Sequence, residues 1–574
     1  MAITLNNNFN YPPSKSQKTP NPESLATQKN HPEWFSPETG IYHSTYPCVN
    51  LPSDPFLDVV SFIFSHSHNG VSSALVDASS GCSVSYSELY SFVRSMASGL
   101  RKMGISQGDV VLVLLPNCIY YPAVFLGVLY AGAVATTMNP LSTVVEIKKQ
   151  IADCNACLAF TGPEKVDALQ ALGVPTIVVP ENVILGSKAE AFEEFYKLMC
   201  CKVDQPPRLV IKQQDTAAIL YSSGTTGGSK GVVLTHKNLI AAVELFVRFE
   251  ASQYDYTSLE NVYLAVVPFF HIYGLSLYVM GLLSLGSRIV VMKKFDVDHV
   301  VKSIDRYKVT HFPLVPPILA ALTKKVPKDV TAAHGLRSLK QVASGAAPLS
   351  MKIIEDFVRA LPHVDFIQGY GLTETTAVGT RGFNTERVKN YSSIGLLAPN
   401  MQAKVVDWKT GTPLPPNNSG ELWLRGPAIM KEYLNNAKAT MSTIDEDGWL
   451  HTGDIVFFNK DGYIYIHDRL KEIIKYKGFQ IAPADLEAVL INHPEIVDVA
   501  VTAAMDEECG EVPVAFVVRK NGSKLSGKAV MEYVAGHVAP HKKVRKVVFT
   551  SSIPKSAAGK ILRRELRNLL TARL

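Results

Sequence analysis

An α/β fold with mostly parallel sheets, followed by a short-stranded β region and a small separate α+β unit, is what this sequence predicts. Three features predict it. From about residue 55 short β-rich runs alternate with longer helical ones, a βαβ rhythm that puts helices on both faces of a parallel sheet. After about residue 390 the texture changes to short strands and tight turns, which suits a small distorted β-barrel. Past Asp468 a third pattern begins, that of a compact α+β unit. With 574 residues the chain has room for at least two domains, and its 47% apolar content provides for a large core.

Taken in order, residues 1–50 are expected as a flexible arm. The first 30 are rich in Asn, Pro, Ser and Lys, contain no arginine and lack the apolar run of a secretory leader. Residues 51–468 form the expected large domain. Within it 109–115 reads as a buried strand and 121–131 as a helix, while 158–161 and 176–179 are strands around a helical 164–172. Strands follow at 217–221, 232–235 and 288–292, then a helix at 297–307 and a strand at 310–313. Short strands at 402–407, 421–425, 448–458 and 463–467 make the barrel. Residues 469–574 are the small C-terminal domain, which closes on a helix at 562–570.

Composition excludes several classes. A net charge of +6 is spread thinly along the chain, so nucleic acid is not an expected partner. The densest basic cluster, Lys542, Lys543, Arg545, Lys546, Arg563, Arg564 and Arg567, reads as a solvated face, with a polyanion such as CoA as the alternative. Eight cysteines without framework spacing point to a reducing compartment, and Cys154 and Cys157 read as ordinary thiols. Residues 110–137 and 262–287 are apolar enough to be mistaken for membrane spans. Pro116, Asn117 and Pro122 interrupt the first, and Pro268, His271 and Gly274 the second. Buried strand–helix segments are apolar in the same way, so a soluble protein without a span is expected.

The most informative stretch is Tyr221-Ser-Ser-Gly-Thr-Thr-Gly-Gly-Ser-Lys-Gly231, set between two strands. A glycine-rich turn (Gly224, Gly227, Gly228) can aim several backbone N–H groups at one anion. Ser223, Thr225 and Thr226 add hydroxyl donors, and Lys230 adds charge. Walker spacing would need Gly-Lys-Ser/Thr at the end, whereas Ser229 precedes Lys230 here, so this is a phosphate cradle of another kind. A surface hairpin without a ligand is the alternative, and the motifs downstream argue against it.

In the run 368–374, Gly369 and Gly371 let backbone approach a flat ligand, Tyr370 offers a face to adenine and Thr373 a hydroxyl to a phosphate. Glu374 is a carboxylate suited to Mg²⁺. Asp454, at the end of Trp449-Leu-His-Thr-Gly-Asp454, could accept both hydrogen bonds of a ribose diol, although an aspartate after glycine is more often a turn. Arg469, Lys471, Lys475 and Lys477, followed by Gly478, sit at the border of two composition zones and read as a hinge. Lys560 lies in a Ser/Ala/Gly turn ahead of a helix, where it could be a mobile cation for a reacting phosphate.

The order of these motifs, with Pro268-Phe-Phe-His271 and Ser344-Gly-Ala-Ala-Pro348 between them, resembles the adenylate-forming superfamily of acyl-CoA synthetases, luciferases and peptide-synthetase adenylation domains. Plant 4-coumarate:CoA ligases and their ligase-like relatives are most similar, over about residues 50–570. The resemblance implies a large region of two α/β subdomains plus a small barrel, followed by a mobile C-terminal domain. It also implies ATP, Mg²⁺ and coenzyme A, with a carboxylate first attacking the α-phosphate and CoA then taking the acyl group.

On that resemblance Ser222, Ser223, Gly224, Thr225, Thr226 and Lys230 would hold the phosphates, with Ala346, Gln368, Gly369, Thr373, Lys475 and Gln480 completing the nucleotide site. Asp454 and Arg469 would grip the ribose, Glu374 would bind Mg²⁺, and Lys560 would bridge the carboxylate and the α-phosphate. Thr373 and Glu374 also count among the catalytic residues, and His271 would gate the acyl channel or assist the second step. The small domain would turn about Lys471 and present Lys477 and Gly478 to the CoA thiol, which Lys294 also meets.

Tyr273, Leu277, Gly369, Val378, Gly379 and Arg381 would line the acid pocket. Here the chain departs from the coumarate ligases. Leu277 replaces a serine, and 378–381 read Val-Gly-Thr-Arg in place of Val-Leu-Ala-Met. Gly379 is expected to enlarge the pocket floor, and Arg381 to meet a polar acyl tail or face solvent. Gly228-Ser229 also stands in place of Leu-Pro, and Glu432 in place of glycine.

Hydroxycinnamates, fatty acids and cyclic oxylipin acids all stay open as substrates. A luciferase-like oxygenase and a non-catalytic binding protein of the same fold are the rival classes, the latter opposed by the intact Lys560, Glu374 and Asp454. Ala572-Arg573-Leu574 fits the small–basic–leucine pattern of a peroxisomal address, with its import receptor as partner and the cytoplasm as the alternative location. A monomer is expected.

Overall fold

The computed structural model describes residues 32–571 apart from 67–72, 181–191, 203–208, 223–228, 254–260, 348, 350, 385–388, 477–478, 507–509, 539 and 557–558. Two large sheets carry the first part of the chain. In one, the strands run in the order Glu432–Tyr433, Lys230–Thr235, Thr216–Ser222, Val134–Thr137, Val110–Leu114, Ala156–Thr161 and Thr176–Val178. From Thr216–Ser222 onward neighbours are parallel, and the first two strands join antiparallel. Successive residues of Val110–Leu114 feed opposite faces. Val111 and Val113 enter the main core, while Leu112 and Leu114 enter a second cluster with Ile147, Leu169 and Ile219. Burial on both faces explains why the run is apolar without alternation.

The other large sheet runs Leu396–Leu397, Thr380–Arg381, Asp365–Tyr370, Gln341–Ser344, His311–Leu314, Val262–Ala265, Arg288–Val291, Leu75–Asp77 and Ser83–Val84. It is parallel from Asp365–Tyr370 to Leu75–Asp77 and antiparallel at both edges. The stretches that invited a membrane reading are strand–helix segments of these sheets. No helix among the described residues is long and apolar enough to cross a membrane.

Two helical segments between the sheets carry π-helical turns, Val243–Arg248 and Leu275–Gly281. They pack together where Gly281 has no side chain, since a Cβ there would lie 2.3 Å from Val247 Cγ2. This close packing brings Phe246 and Tyr273 to line one cleft.

Where a barrel is expected, six antiparallel strands run Phe35–Ser36, Ile41–His43, Gln402–Val406, Gly420–Arg425, Leu450–Phe458 and Ile464–Arg469. Its end strands are not paired with each other among the described residues. Part of the expected arm belongs to it. Tyr42 pairs with Ala403, and the Trp34 ring stacks on Tyr42 and Phe458, so residues 32–50 are docked by aromatic burial that the polar first 30 residues do not foretell.

The last sheet holds Phe479–Ile481, Ile474–Tyr476, Gly510–Arg519 and Ile496–Asp506 in that order, with Lys546–Phe549 alongside Gly510–Arg519. One cluster of its core includes Leu486, Leu490, Val530 and Val534 from helices Pro483–Leu490 and Gly527–Ala535. The other joins Phe516 and Val548 to Leu566 and Leu570 of helix Arg563–Thr571. Neither cluster is continuous with the main core.

Candidate active site

Parallel strands present their carboxyl ends to a common crevice, and ligands bind there in open α/β sheets. Thr216–Ser222 ends in Tyr221 and Ser222, Gln341–Ser344 leads into Gly345 and Ala346, and Asp365–Tyr370 ends in Gly369 and Tyr370. All of these line one cleft of about 1540 Å³, joined by Arg469, Lys471, Lys475 and Lys560 from the later part of the chain. Ala346, Thr376 and Ala377 hold left-handed backbone at φ 71°, 52° and 66°. Non-glycine residues adopt that conformation only where the surroundings enforce it, and such positions gather at functional sites.

One end of the cleft is a web of polar contacts. Asp454 is not in a turn; it is buried in the strand Leu450–Phe458, directly opposite Arg469. Its Oδ2 accepts from the Tyr370 hydroxyl at 2.7 Å and its Oδ1 faces Arg469 Nε at 3.0 Å. A carboxylate oxygen has two lone pairs, so each retains acceptor capacity for a ligand hydroxyl. Burial raises the Tyr370 phenol well above its ordinary range and keeps it a donor. Its ring, expected as a stacking face, also lines the cleft.

Glu374 Oε1 accepts from Ser222 Oγ and from the Tyr433 hydroxyl, both at 2.8 Å, while Lys230 Nζ sits 4.7 Å over the Tyr433 ring. No group of three or more His, Cys, Asp or Glu able to hold a metal occurs among the described residues. A cation that keeps its waters and takes substrate phosphates needs no such cage, and Glu374, with Oε2 outside both hydrogen bonds, fits it. Thr373 lines the cleft beside it.

Lys560 is carried by a tight turn. Its N–H donates to Ser556 Oγ at 3.2 Å, and Gly559 has φ +79° with no room for a Cβ, which would lie 2.5 Å from Pro317 Cδ. Pro317 belongs to helix Pro316–Lys325 of the main core region, so the turn is docked against it. Burial, with the cations of Arg469 and Lys471 nearby, pushes the Lys560 ammonium down to about 8. His271 caps a short helix by accepting from the Tyr273 N–H at 3.3 Å. Burial and the charge of Lys560 push its imidazole down to about 4, so it is neutral at physiological pH.

The other end of the cleft is lined by Phe246, Ile272, Tyr273, Ala377 and Arg381. Several expectations are corrected here. Of the two expectations for Arg381, exposure to solvent is overturned: it is buried on the cleft wall, where Nη2 donates to Glu250 Oε1 at 2.8 Å and Nε faces Oε2 at 2.5 Å as an ion pair. Gly379 does not enlarge the floor. A Cβ there would meet the Tyr370 carbonyl oxygen at 2.6 Å, so the glycine serves strand contact and does not line the cleft. Val378 is buried off the cleft, and Leu277 lines a second cavity behind it. Gln368 is also off the cleft, with its side-chain amide donating to the Tyr391 carbonyl at 2.7 Å, and Lys294 is exposed elsewhere. Ser223, Gly224, Thr225, Thr226, Lys477, Gly478, the Gln480 side chain and Ala572-Arg573-Leu574 lie outside the described residues.

The C-terminal basic cluster is not simply a solvated face. Lys542 pairs with Asp485, Arg563 with Glu487 and Arg567 with Glu472, and Arg545 lies over the Tyr476 ring. Sequence reasoning missed Tyr433, Phe246 and Glu250. None sits in a glycine-rich or charge-dense motif, and only the substitution at neighbouring Glu432 drew attention near one of them.

The AMP-binding enzyme family matches residues 66–434, and the AMP-binding enzyme C-terminal domain matches residues 485–560. The chain is 60% identical over 553 residues to 4-coumarate–CoA ligase-like 6 of Arabidopsis thaliana, covering 96% of this chain and 97% of that one. It is 44% identical over 544 residues to peroxisomal OPC-8:0-CoA ligase 1 of the same plant, covering 94% and 98%. ATP-bound MatB from Rhodopseudomonas palustris shares the fold, with a TM-score of 0.81 at 24% identity over 89% of this chain and 98% of that one.

Proposed function

The chain belongs to the AMP-binding enzyme family, in its branch of AMP-forming acyl-CoA ligases, and from that premise we propose that it is an ATP-dependent carboxylate–CoA ligase. The observation that carries this reading is the placement of Ser222, Glu374, Arg469 and Lys560 around one cleft, with Asp454 buried behind Arg469 and Tyr370, that continues into a pocket walled by Phe246 and Tyr273. In the first step a carboxylate oxygen bonds to the α-phosphorus, the bond to the β-phosphate bridge breaks and pyrophosphate leaves. Ser222 and Lys230 hold phosphate oxygens, Asp454 and Arg469 hold the ribose, and Lys560 brings its charge to where carboxylate and α-phosphate meet. Glu374 would hold Mg²⁺, which supplies neutralisation of phosphate charge when bound. Positioning and preorganised charge are what such a transfer needs from a protein.

In the second step the CoA sulfur attacks the acyl carbon and AMP departs. The Lys560 turn then has to leave the cleft, and rotation about Lys471, in the one-turn helix Leu470–Glu472, moves it and brings Lys477 and Gly478 to the thiol. Residues 51–468 and 469–574 act as the two bodies of that motion. Aryl acids of the coumarate kind and fatty or oxylipin acids are the substrate classes, and the peroxisome is the location, in keeping with the peroxisomal relative and the C-terminal tripeptide.

Acid-dependent pyrophosphate release from ATP, scanned over a carboxylic acid panel with and without CoA, tests the activity. Release that needs an acid, with thioester appearing once CoA is added, is expected. No release with any acid would overturn the reading. A fluorescent protein fused ahead of the last residues should coincide with a peroxisome marker and lose that location when Ala572-Arg573-Leu574 is deleted.

A further inference from the structure

We propose that the Arg381–Glu250 pair is the end wall of the acyl pocket, and that it selects compact acids with a hydrogen-bonding group at the distal end over extended alkyl chains. The inference rests on the ligase reading for its substrate, not for its geometry. Arg381 stands opposite Gly369 in the antiparallel pairing of Asp365–Tyr370 with Thr380–Arg381. A Cβ on Gly369 would lie 3.0 Å from Arg381 Nη1, so the bare glycine leaves the slot that the guanidinium occupies. The guanidinium lies 5.1 Å from the Phe246 ring centroid, and Tyr273 places its buried hydroxyl beside it.

Behind the wall is the second cavity, lined by Glu250, Leu277, His311 and Gln341 among others. Among the described residues, Arg381 is the one that lines both it and the main cleft. It is therefore a partition. Its partner Glu250 comes from the helix that follows the π-helical turn, far away in sequence.

Two costs follow for a long alkyl acid. A methyl end pressed on the guanidinium gives this buried donor no acceptor, whereas a polar end does. A longer chain is stopped at the wall, since the cavity behind it is only about 20 Å³ and opening the way would part the pair. A hydroxyl or amide at the far end of a compact acid meets neither cost, because the guanidinium donates and the Tyr273 hydroxyl can donate or accept, and both residues line the cleft.

The test uses the full chain and the neutral double variant Arg381→Met/Glu250→Leu, which removes both charges together and strands neither. Straight-chain alkanoic acids of increasing length are compared with 3-arylpropenoic acids bearing a para-hydroxyl or a para-methyl group. Pyrophosphate release gives kcat/KM, and equilibrium binding of the matching acyl-sulfamoyladenosines gives an affinity series that needs no turnover. On the unmodified chain the para-hydroxy acid should exceed its para-methyl counterpart by about tenfold or more, as sites built to hydrogen-bond a substrate group reject analogues lacking it. In the double variant that preference should vanish and the longest accepted alkyl chain should lengthen.

Equal treatment of the two aryl acids by the unmodified chain would overturn the proposal whatever the variant does. So would an unchanged length profile in the variant. If no acid supports turnover, the ligase reading fails, and the binding series still decides the wall.

Discussion

At one end of the cleft the polar groups hold one another: Asp454 engages Tyr370 and Arg469, and Glu374 engages Ser222 and Tyr433. At the other end a single buried pair, Arg381–Glu250, stands among Phe246, Tyr273 and Leu277. A network shares its charges among several partners, so losing one contact leaves others in place. The pair has less reserve, because with Glu250 removed the guanidinium keeps only neutral neighbours, such as the Phe246 ring and the Tyr273 hydroxyl, to offset a buried charge. The nucleotide end is thus built to keep its geometry while ligands change, and the acyl end to hold one shape or fail.

The largest expected effect breaks the pair. Glu250→Ala strands the Arg381 guanidinium and should lower stability by about 3–5 kcal/mol, the range for removing one partner of a buried ion pair. Denaturant unfolding measures it, and the neutral double variant should recover much of the loss. A single variant as stable as the native chain would mean that water already reaches the pair, and the contrast between the two ends would be lost.

Next comes Lys560→Ala, which should slow adenylation by about 10²–10³, the usual cost of one preorganised charge contact. Thioester formation from supplied acyl-AMP should be spared if, as proposed, the turn leaves the cleft for that step. Equal loss in both half-reactions would remove the role assigned to Lys560.

The third effect is pH dependence. On the proposed role the Lys560 cation is the working form, and its pKa is depressed to about 8. The charge is complete well below pH 8 and is lost as pH rises through that value. Because kcat/KM reports the free enzyme, it should fall on the alkaline side of about 8 for acid-dependent pyrophosphate release. Lys560→Arg should remove that limb, since a guanidinium stays charged. His271, held near 4, should contribute no limb around neutrality.

These two ends also differ in how readable they are. The helix Val297–Tyr307 and the strands of both large sheets follow from periodicity, since their apolar runs are buried on one or both faces. Ser222, Tyr370, Glu374, Arg469 and Lys560 at the nucleotide end were legible because each stands in a short motif visible in one dimension, and the structure brings them to one cleft. The acyl wall was not. Arg381 could be seen to differ from a methionine, but its partner Glu250 lies 131 residues earlier in the chain, and no local pattern joins them. Gly379 was misread because a missing side chain looks like space, and here the Tyr370 backbone fills it. Asp454 could be named as a ribose ligand only through the resemblance, because its burial comes from strand pairing with Arg469, which the Gly453–Asp454 step does not reveal.

The smallest expected effect probes the network from within. Tyr433→Phe removes one of the two hydroxyls on Glu374 Oε1 and keeps the ring under Lys230. Ser222 still donates to the same oxygen, so the carboxylate is not left without a partner and the full penalty of an unsatisfied buried group does not arise. A net loss of about 1 kcal/mol is the scale of one shared hydrogen bond, which is roughly fivefold to tenfold in kcat/KM for pyrophosphate release. If Glu374 holds Mg²⁺, that loss should appear as a higher Mg²⁺ requirement at constant ATP, with the maximal rate restored when the metal is raised. A loss as large as that of Lys560→Ala, unmoved by metal, would show that the nucleotide end also hangs on single contacts, and would erase the difference between the two ends of the cleft.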